Sequence, residues 1–228
     1  VTPPMPAEGR VSIIDPSPHD PARAYVAIYR TQLGDYTPYI FRTDDYGANW
    51  TLLTDGGNGI PGDEPARAVR EDTEREGVLY AGTEFGMYVS LDDGGHWMPL
   101  QRNLPVTPIT DIKVADGNVY ISTMGRGFWV MDNVAPLHYM ADAHSGLVEA
   151  VMDGVNLLPP RAAHRTRGGG WGGYGMSDDA AVRPQYSAGG VAIDYWIPQG
   201  LEGELTLEIL DRQGRVLQSY SGTGPGVR

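Results

Sequence analysis

Thr43-Asp44-Asp45-Tyr46-Gly47-Ala48-Asn49-Trp50 and Ser90-Leu91-Asp92-Asp93-Gly94-Gly95-His96-Trp97 decide the fold of this chain. Both read [Ser/Thr]-x-Asp-x-Gly-x-x-Trp, and every fixed position matches under one shift of 47 residues. A strand-like run precedes each copy, Tyr39–Arg42 and Met87–Val89, and another follows, Trp50–Leu53 and Trp97–Leu100. The motif is therefore a hairpin turn. Its Asp accepts backbone N–H groups of the turn, and its Gly supplies a positive φ. The Ser or Thr hydroxyl bonds locally, while the Trp folds back as an apolar plug at the start of the next strand. A repeat of roughly 40–50 residues built from short strands is the signature of a β-propeller blade.

Working outward, the strand-like runs fall into groups. Blade one takes Val11–Asp15, Ala24–Tyr29, Tyr39–Thr43 and Trp50–Leu53; blade two takes Ala66–Glu71, Val78–Gly82, Met87–Ser90 and Trp97–Leu100. A third set follows at Ile109–Val114, Val119–Thr123 and Phe128–Asp132, with Gly117–Thr123 aligning on Gly77–Thr83. This set has no motif after Asp132-Asn133 and so no fourth strand, as in a final blade completed from the other end of a chain. Three blades cannot close a ring, which needs about four to eight.

The expected fold is all-β: a partial propeller of about three four-stranded blades over residues 1–135, then a connecting segment over 136–160. Residues 161–190, with Gly168–Gly175 at their centre, read as a Gly-rich linker or loop, and 191–228 as part of a small β-sandwich-like module. Leu147–Leu158 and Val191–Ile197 are expected strands, and Leu205–Leu210 with Val216–Tyr220 an expected hairpin. Apolar helical periodicity is nearly absent; the stretch from Pro136 to Ala150 comes closest. Both ends read as cut, as if the chain were a piece of a longer protein whose open blade must be covered.

Composition narrows the function. A formal net charge of −12 without any Lys/Arg cluster argues against nucleic acid as a partner. The chain has no cysteine, hence no disulfide and no thiolate zinc site. The five histidines show no metal-ligand spacing, and the Gly-rich stretch lacks the Gly-Lys-Ser/Thr of a phosphate loop, so no metal or other cofactor is expected.

The motif resembles the Asp-box, or BNR repeat, of sialidases, xyloglucan-cleaving enzymes and sortilin-type receptors. Leu79–Trp97, Leu104–Pro108 and Ser122–Asp132 are similar to the C-terminal blades of bacterial exported, sortilin-like BNR-repeat proteins, and the last strands to the small immunoglobulin-like modules appended to them. That resemblance implies a multi-blade propeller, a periplasmic or secreted location, and protein or peptide binding. In that reading Thr43, Asp45, Gly47, Trp50, Ser90, Asp92, Gly94 and Trp97 are structural. A fold shared with sialidases does not transfer their chemistry.

No catalytic residue can be assigned. The sialidase Phe-Arg-Ile-Pro segment is missing, because Phe41-Arg42 continues into the first motif. A glycosidase would need two carboxylates flanking the scissile bond. Binding is usually carried by loops on a rigid scaffold, here the face opposite the motif turns. Thr31–Pro38, Glu84-Phe85 and Met124–Arg126 lie there, with the inter-blade connections Asp55–Pro65 and Gln101–Pro108. The candidate ligand-binding residues are Asp35, Tyr36, Glu84, Phe85 and Arg126; the rival reading pairs Arg126 with a carboxylate of its own turn. Phe128 and Trp129 read as packing between sheets. The partner is a protein or the remaining blades of a propeller, with a membrane-bound assembly among the hosts that would fit. The alternative is a polysaccharide-active hydrolase of sialidase or xyloglucanase type, with a glycan as ligand.

Overall fold

The structure is a computed structural model that describes residues 8–145, 154–160, 192–198, 200 and 203–223. The chain divides into two units, residues 1–147 and 148–228. The first holds two complete four-stranded antiparallel meanders and one of three strands. Sheet one is β1 (Arg10–Pro16), β2 (Ala24–Tyr29), β3 (Tyr39–Thr43) and β4 (Thr51–Leu52), hydrogen-bonded in chain order. Sheet two repeats it with β5 (Ala66–Glu71), β6 (Leu79–Thr83), β7 (Met87–Ser90) and β8 (Met98–Pro99). Sheet three has β9 (Ile109–Ala115), β10 (Asn118–Thr123) and β11 (Phe128–Met131), and β11 is its edge. Consecutive meanders packed face to face are propeller blades, and the architecture is all-β as the repeat indicated.

Strand alternation builds the core. On sheet two, Leu79 and Ala81 of β6 face sheet one, meeting Tyr25, Ala27 and Ile40. Their neighbours Val78 and Tyr80 face the other way, into a cluster with Ile109, Ile112, Val119 and Ile121 of sheet three. Every residue of β6 is buried, so the middle blade is covered on both faces. That is why β6 and β7 read as nearly continuous apolar runs rather than alternating ones.

After β11 the chain forms α1 (Ala135–His144), with a Pro in its first turn. Leu137 and Ala141, one turn apart, are its buried residues and join the cluster between sheets two and three. His138 reaches the Asp72 carboxylate at 2.8 Å and Arg75 bonds Asp142 at 2.7 Å. The stretch read as a connecting segment thus begins with a helix packed into the first unit. No helix among the described residues is long and apolar enough to cross a membrane.

In the second unit, β12 (Asn156–Leu157) pairs antiparallel with β13 (Tyr195–Trp196), and β14 (Glu204–Leu210) with β15 (Val216–Thr223). The expected strands over 147–158 and 191–197 are thus two-residue pieces among the described residues, and the hairpin runs longer than its reading. The Gly-rich stretch from 161 to 190 lies outside the described residues.

Candidate functional site

The two motif turns share one hydrogen-bond pattern. Thr43 Oγ1 donates to Asp45 Oδ1 at 2.9 Å and accepts the Gly47 N–H at 2.8 Å. Ser90 Oγ does the same to Asp92 Oδ1 at 2.8 Å and from Gly94 at 2.9 Å. Asp45 and Asp92 each accept a backbone N–H four residues on, from Asn49 and His96, both at 2.8 Å. Those bonds, led by the Asn49 N–H and side chain, hold the Asp45 carboxyl below the usual carboxylate range. Two successive left-handed residues close each turn: Tyr46 at φ 56° with Gly47 at 86°, and Asp93 at 60° with Gly94 at 87°. Each Asp is used up in holding its turn.

The two tryptophans differ in one decisive respect. Trp97 is fully buried between sheets one and two, and its indole N–H donates to the Leu53 carbonyl of the preceding blade at 2.9 Å. Trp50 is half-buried and donates to the Gly47 carbonyl of its own turn at 3.2 Å. Trp97 is thus a plug between blades one and two.

At the opposite end of the sheets, the turns joining second and third strands are stitched to the inter-blade connection. Glu84 N–H donates to the Pro65 carbonyl at 3.1 Å, and Met124 N–H to the Pro108 carbonyl at 2.9 Å. Thr107 N–H meets the Phe85 carbonyl at 3.4 Å and its hydroxyl the Met124 carbonyl at 3.4 Å, so the turns carrying Phe85 and Met124 are both tied to the connection that carries Val106. Phe85 is 47% exposed, Val106 72%, Met124 56%, and Tyr36, on the corresponding turn of blade one, 56%. The connection Asp55–Pro65 departs from its expected place. Trp97 N–H donates to the Asn58 carbonyl at 2.7 Å, and Asn58 Nδ2 to Gly94 at 3.2 Å, so this loop reaches back to the second motif turn.

The candidate carboxylates on this face are both engaged. Glu84 accepts the Tyr29 hydroxyl at 2.5 Å and is bonded by the Arg67 guanidinium, which lies 4.6 Å over the Tyr29 ring. Asp35 accepts Arg30 at 2.9 Å, Tyr39 at 3.0 Å and the Thr37 N–H at 3.1 Å. Slight burial pushes the Asp35 carboxyl up, but the bonds from Thr37, Tyr39 and Arg30 outweigh it and hold the group low. A general acid for glycoside cleavage needs the opposite shift. Arg126 makes no salt bridge among the described residues; its carbonyl instead accepts the Trp129 indole at 2.9 Å.

The structure brings Glu84 and Phe85 together with Tyr29, Arg67, Val106 and Met124. The sequence placed Val106 and Met124 on this face, within Gln101–Pro108 and Met124–Arg126, but not Tyr29 and Arg67, because Arg67 and Glu84 are 17 positions apart and Tyr29 a further 38. Phe128 is 87% exposed. It points to the side of sheet three away from sheet two. Its neighbour Trp129 packs against the core.

No protein-family model matches the chain, and no curated protein matches it. Among solved structures it is similar to the GH74 enzyme of Niastella koreensis, at a TM-score of 0.43 and 15% identity over 54% of this chain and 21% of that one. The GH74 xyloglucanase of Xanthomonas campestris matches at 0.41 and 15%, over 54% and 22%. YCF48 bound to D1 peptide matches at 0.39 and 14%, over 54% and 36%. The chain thus spans between 21% and 36% of the length of these three proteins.

Proposed function

We propose that this chain is a non-catalytic protein-interaction module, the blades of an Asp-box propeller of the exported, sortilin-like kind, acting in the periplasm or outside the cell. Its binding surface is the loop face, and it works as part of a larger propeller or as a subunit docked on a larger assembly, membrane-bound hosts included. The observation that carries this reading is the contrast on that face. Tyr36, Phe85, Val106 and Met124 stand exposed, while Asp35 and Glu84 are tied to Arg30 and Arg67. Exposed aromatic, Met and Arg side chains on a rigid frame are the composition of protein-binding hot spots. Arg126, which makes no salt bridge among the described residues, supplies a cation for an acidic residue of the partner.

The test pairs two assays on the intact chain. Peptides selected from a displayed library should lose at least tenfold in affinity on the F85S/M124S variant. Xyloglucan and sialoside substrates should remain uncleaved. Turnover of either glycan that disappears in E84Q or D35N would establish the hydrolase instead.

A further inference from the structure

Beside the open edge of β11 lies a groove of 260 Å³, walled by Met87, Leu100 and Leu104 from blade two and its exit, and by Ile121, Trp129 and Met131 from blade three. The 47-residue shift identifies what this groove is. Leu53 N–H donates to the Ile40 carbonyl at 2.8 Å, and Leu100 N–H to the Met87 carbonyl at 2.8 Å, so Ile40 and Leu53 correspond to Met87 and Leu100 in structure as well as in sequence. Ile40 and Leu53 line the seat of Trp97. Met87 and Leu100 therefore line an equivalent seat, one blade on, whose tryptophan is missing because the third blade carries no motif. The Leu100 carbonyl, counterpart of the one that accepts the Trp97 indole, meets no donor among the described residues.

Backbone groups beside the groove also meet no partner among the described residues. Thr123 N–H bonds the Gly127 carbonyl at 3.1 Å, so hydrogen bonding to β10 alternates through Trp129 and Met131. Phe128 and Val130 accordingly turn their N–H and C=O groups to the open edge. The chain itself turns away here. Val134 N–H bonds Gly117 at 3.0 Å, and α1 continues towards Asp72 rather than along β11. Arg102, exposed at the groove and without a salt bridge among the described residues, adds a cation at its rim.

We propose that this groove accepts, from a partner polypeptide, an extended strand led by a tryptophan and preceded by acidic residues. The strand pairs antiparallel with β11 as the fourth strand of blade three, and its indole donates to the Leu100 carbonyl. This deepens the reading of the chain as an interaction module and rests on it, but it uses a site other than the exposed loop-face residues.

The probe is a fluorescent peptide with the chain's own sequence from Ser90 to Gln101, titrated by anisotropy against the full chain. Saturable binding is expected. A peptide analogue with Trp97→Ala should bind at least tenfold more weakly, as should one N-methylated at the Met98 nitrogen. The protein variant V130P, which removes an edge N–H that makes no ladder bond, should show the same loss. F85S/M124S should bind the probe unchanged. Absence of binding up to millimolar protein, or equal affinity for all three peptides, overturns the proposal. In that event, library peptides still lost on F85S/M124S would leave the loop-face reading standing, so the two failures are distinguishable.

Discussion

Replacing Trp97 by Ala should cost far more than replacing Trp50, although the two occupy the same place in the same motif. Trp97 is 1% exposed and wedged between two blades. Emptying such a site costs about 3–5 kcal/mol. The lost indole bond adds little, because the Leu53 carbonyl keeps a second donor, Asn58 Nδ2 at 2.8 Å, and is not orphaned. Trp50 is half-buried and bonds only its own turn, so about 2 kcal/mol is expected from it. The difference of about 2 kcal/mol corresponds to roughly a thirtyfold change in the unfolding equilibrium. Urea unfolding followed by far-ultraviolet circular dichroism reads this directly. With a slope of about 2 kcal/mol/M, W97A should lower the midpoint by about 2 M and W50A by about 1 M. Equal shifts for the two variants would refute the claim that the motif Trp gains its stabilising role from the preceding blade.

Three further outcomes are expected. At Gly59, φ is 117° and an added Cβ would lie 1.9 Å from the Trp97 carbonyl oxygen. G59A should therefore lose more than about 3 kcal/mol in the same urea assay. Burial raises the Asp72 carboxyl, but bonds from His138, the Glu74 N–H and Tyr80 outweigh it and leave the group low. Its contribution is present above the ordinary carboxylate pKa of about 3.9 and lost as pH falls below it. D72N should thus be destabilised by about 1–3 kcal/mol at pH 7, and its gap from wild type should narrow on titration to pH 3. E84A strips the half-buried Arg67 and the Tyr29 hydroxyl of their shared acceptor. A loss of about 1–3 kcal/mol is expected, read as a lowered melting temperature.

The blades were legible because their cause is local. A turn needs its Asp, Gly and hydroxyl within eight residues, and the strands around Tyr39–Thr43 and Met87–Ser90 alternate or run apolar as their burial demands. The different fates of Trp50 and Trp97 were not legible, since they depend on which blade stands before each. The same holds for the polar contacts. Arg67 with Glu84 and His138 with Asp72 join residues 17 and 66 apart, and no spacing rule marks them. Asp35 and Glu84 lie on loop turns as read, but their arginine partners, Arg30 and Arg67, come from strand ends. The alternating pair Phe128 and Trp129 says which residues face opposite sides of sheet three, and Trp129 is the one that faces sheet two. The helix over Ala135–His144 is weakly patterned, with Leu137 and Ala141 as its short buried stripe.

Hydrogen exchange of the intact chain, with and without a peptide selected by display, tests the central claim most directly. Slowed exchange at residues 84–86, 106–108 and 123–126, with the motif turns at 43–50 and 90–97 unchanged, is the predicted pattern. Protection confined to those motif turns, with none on the loop face, would contradict it.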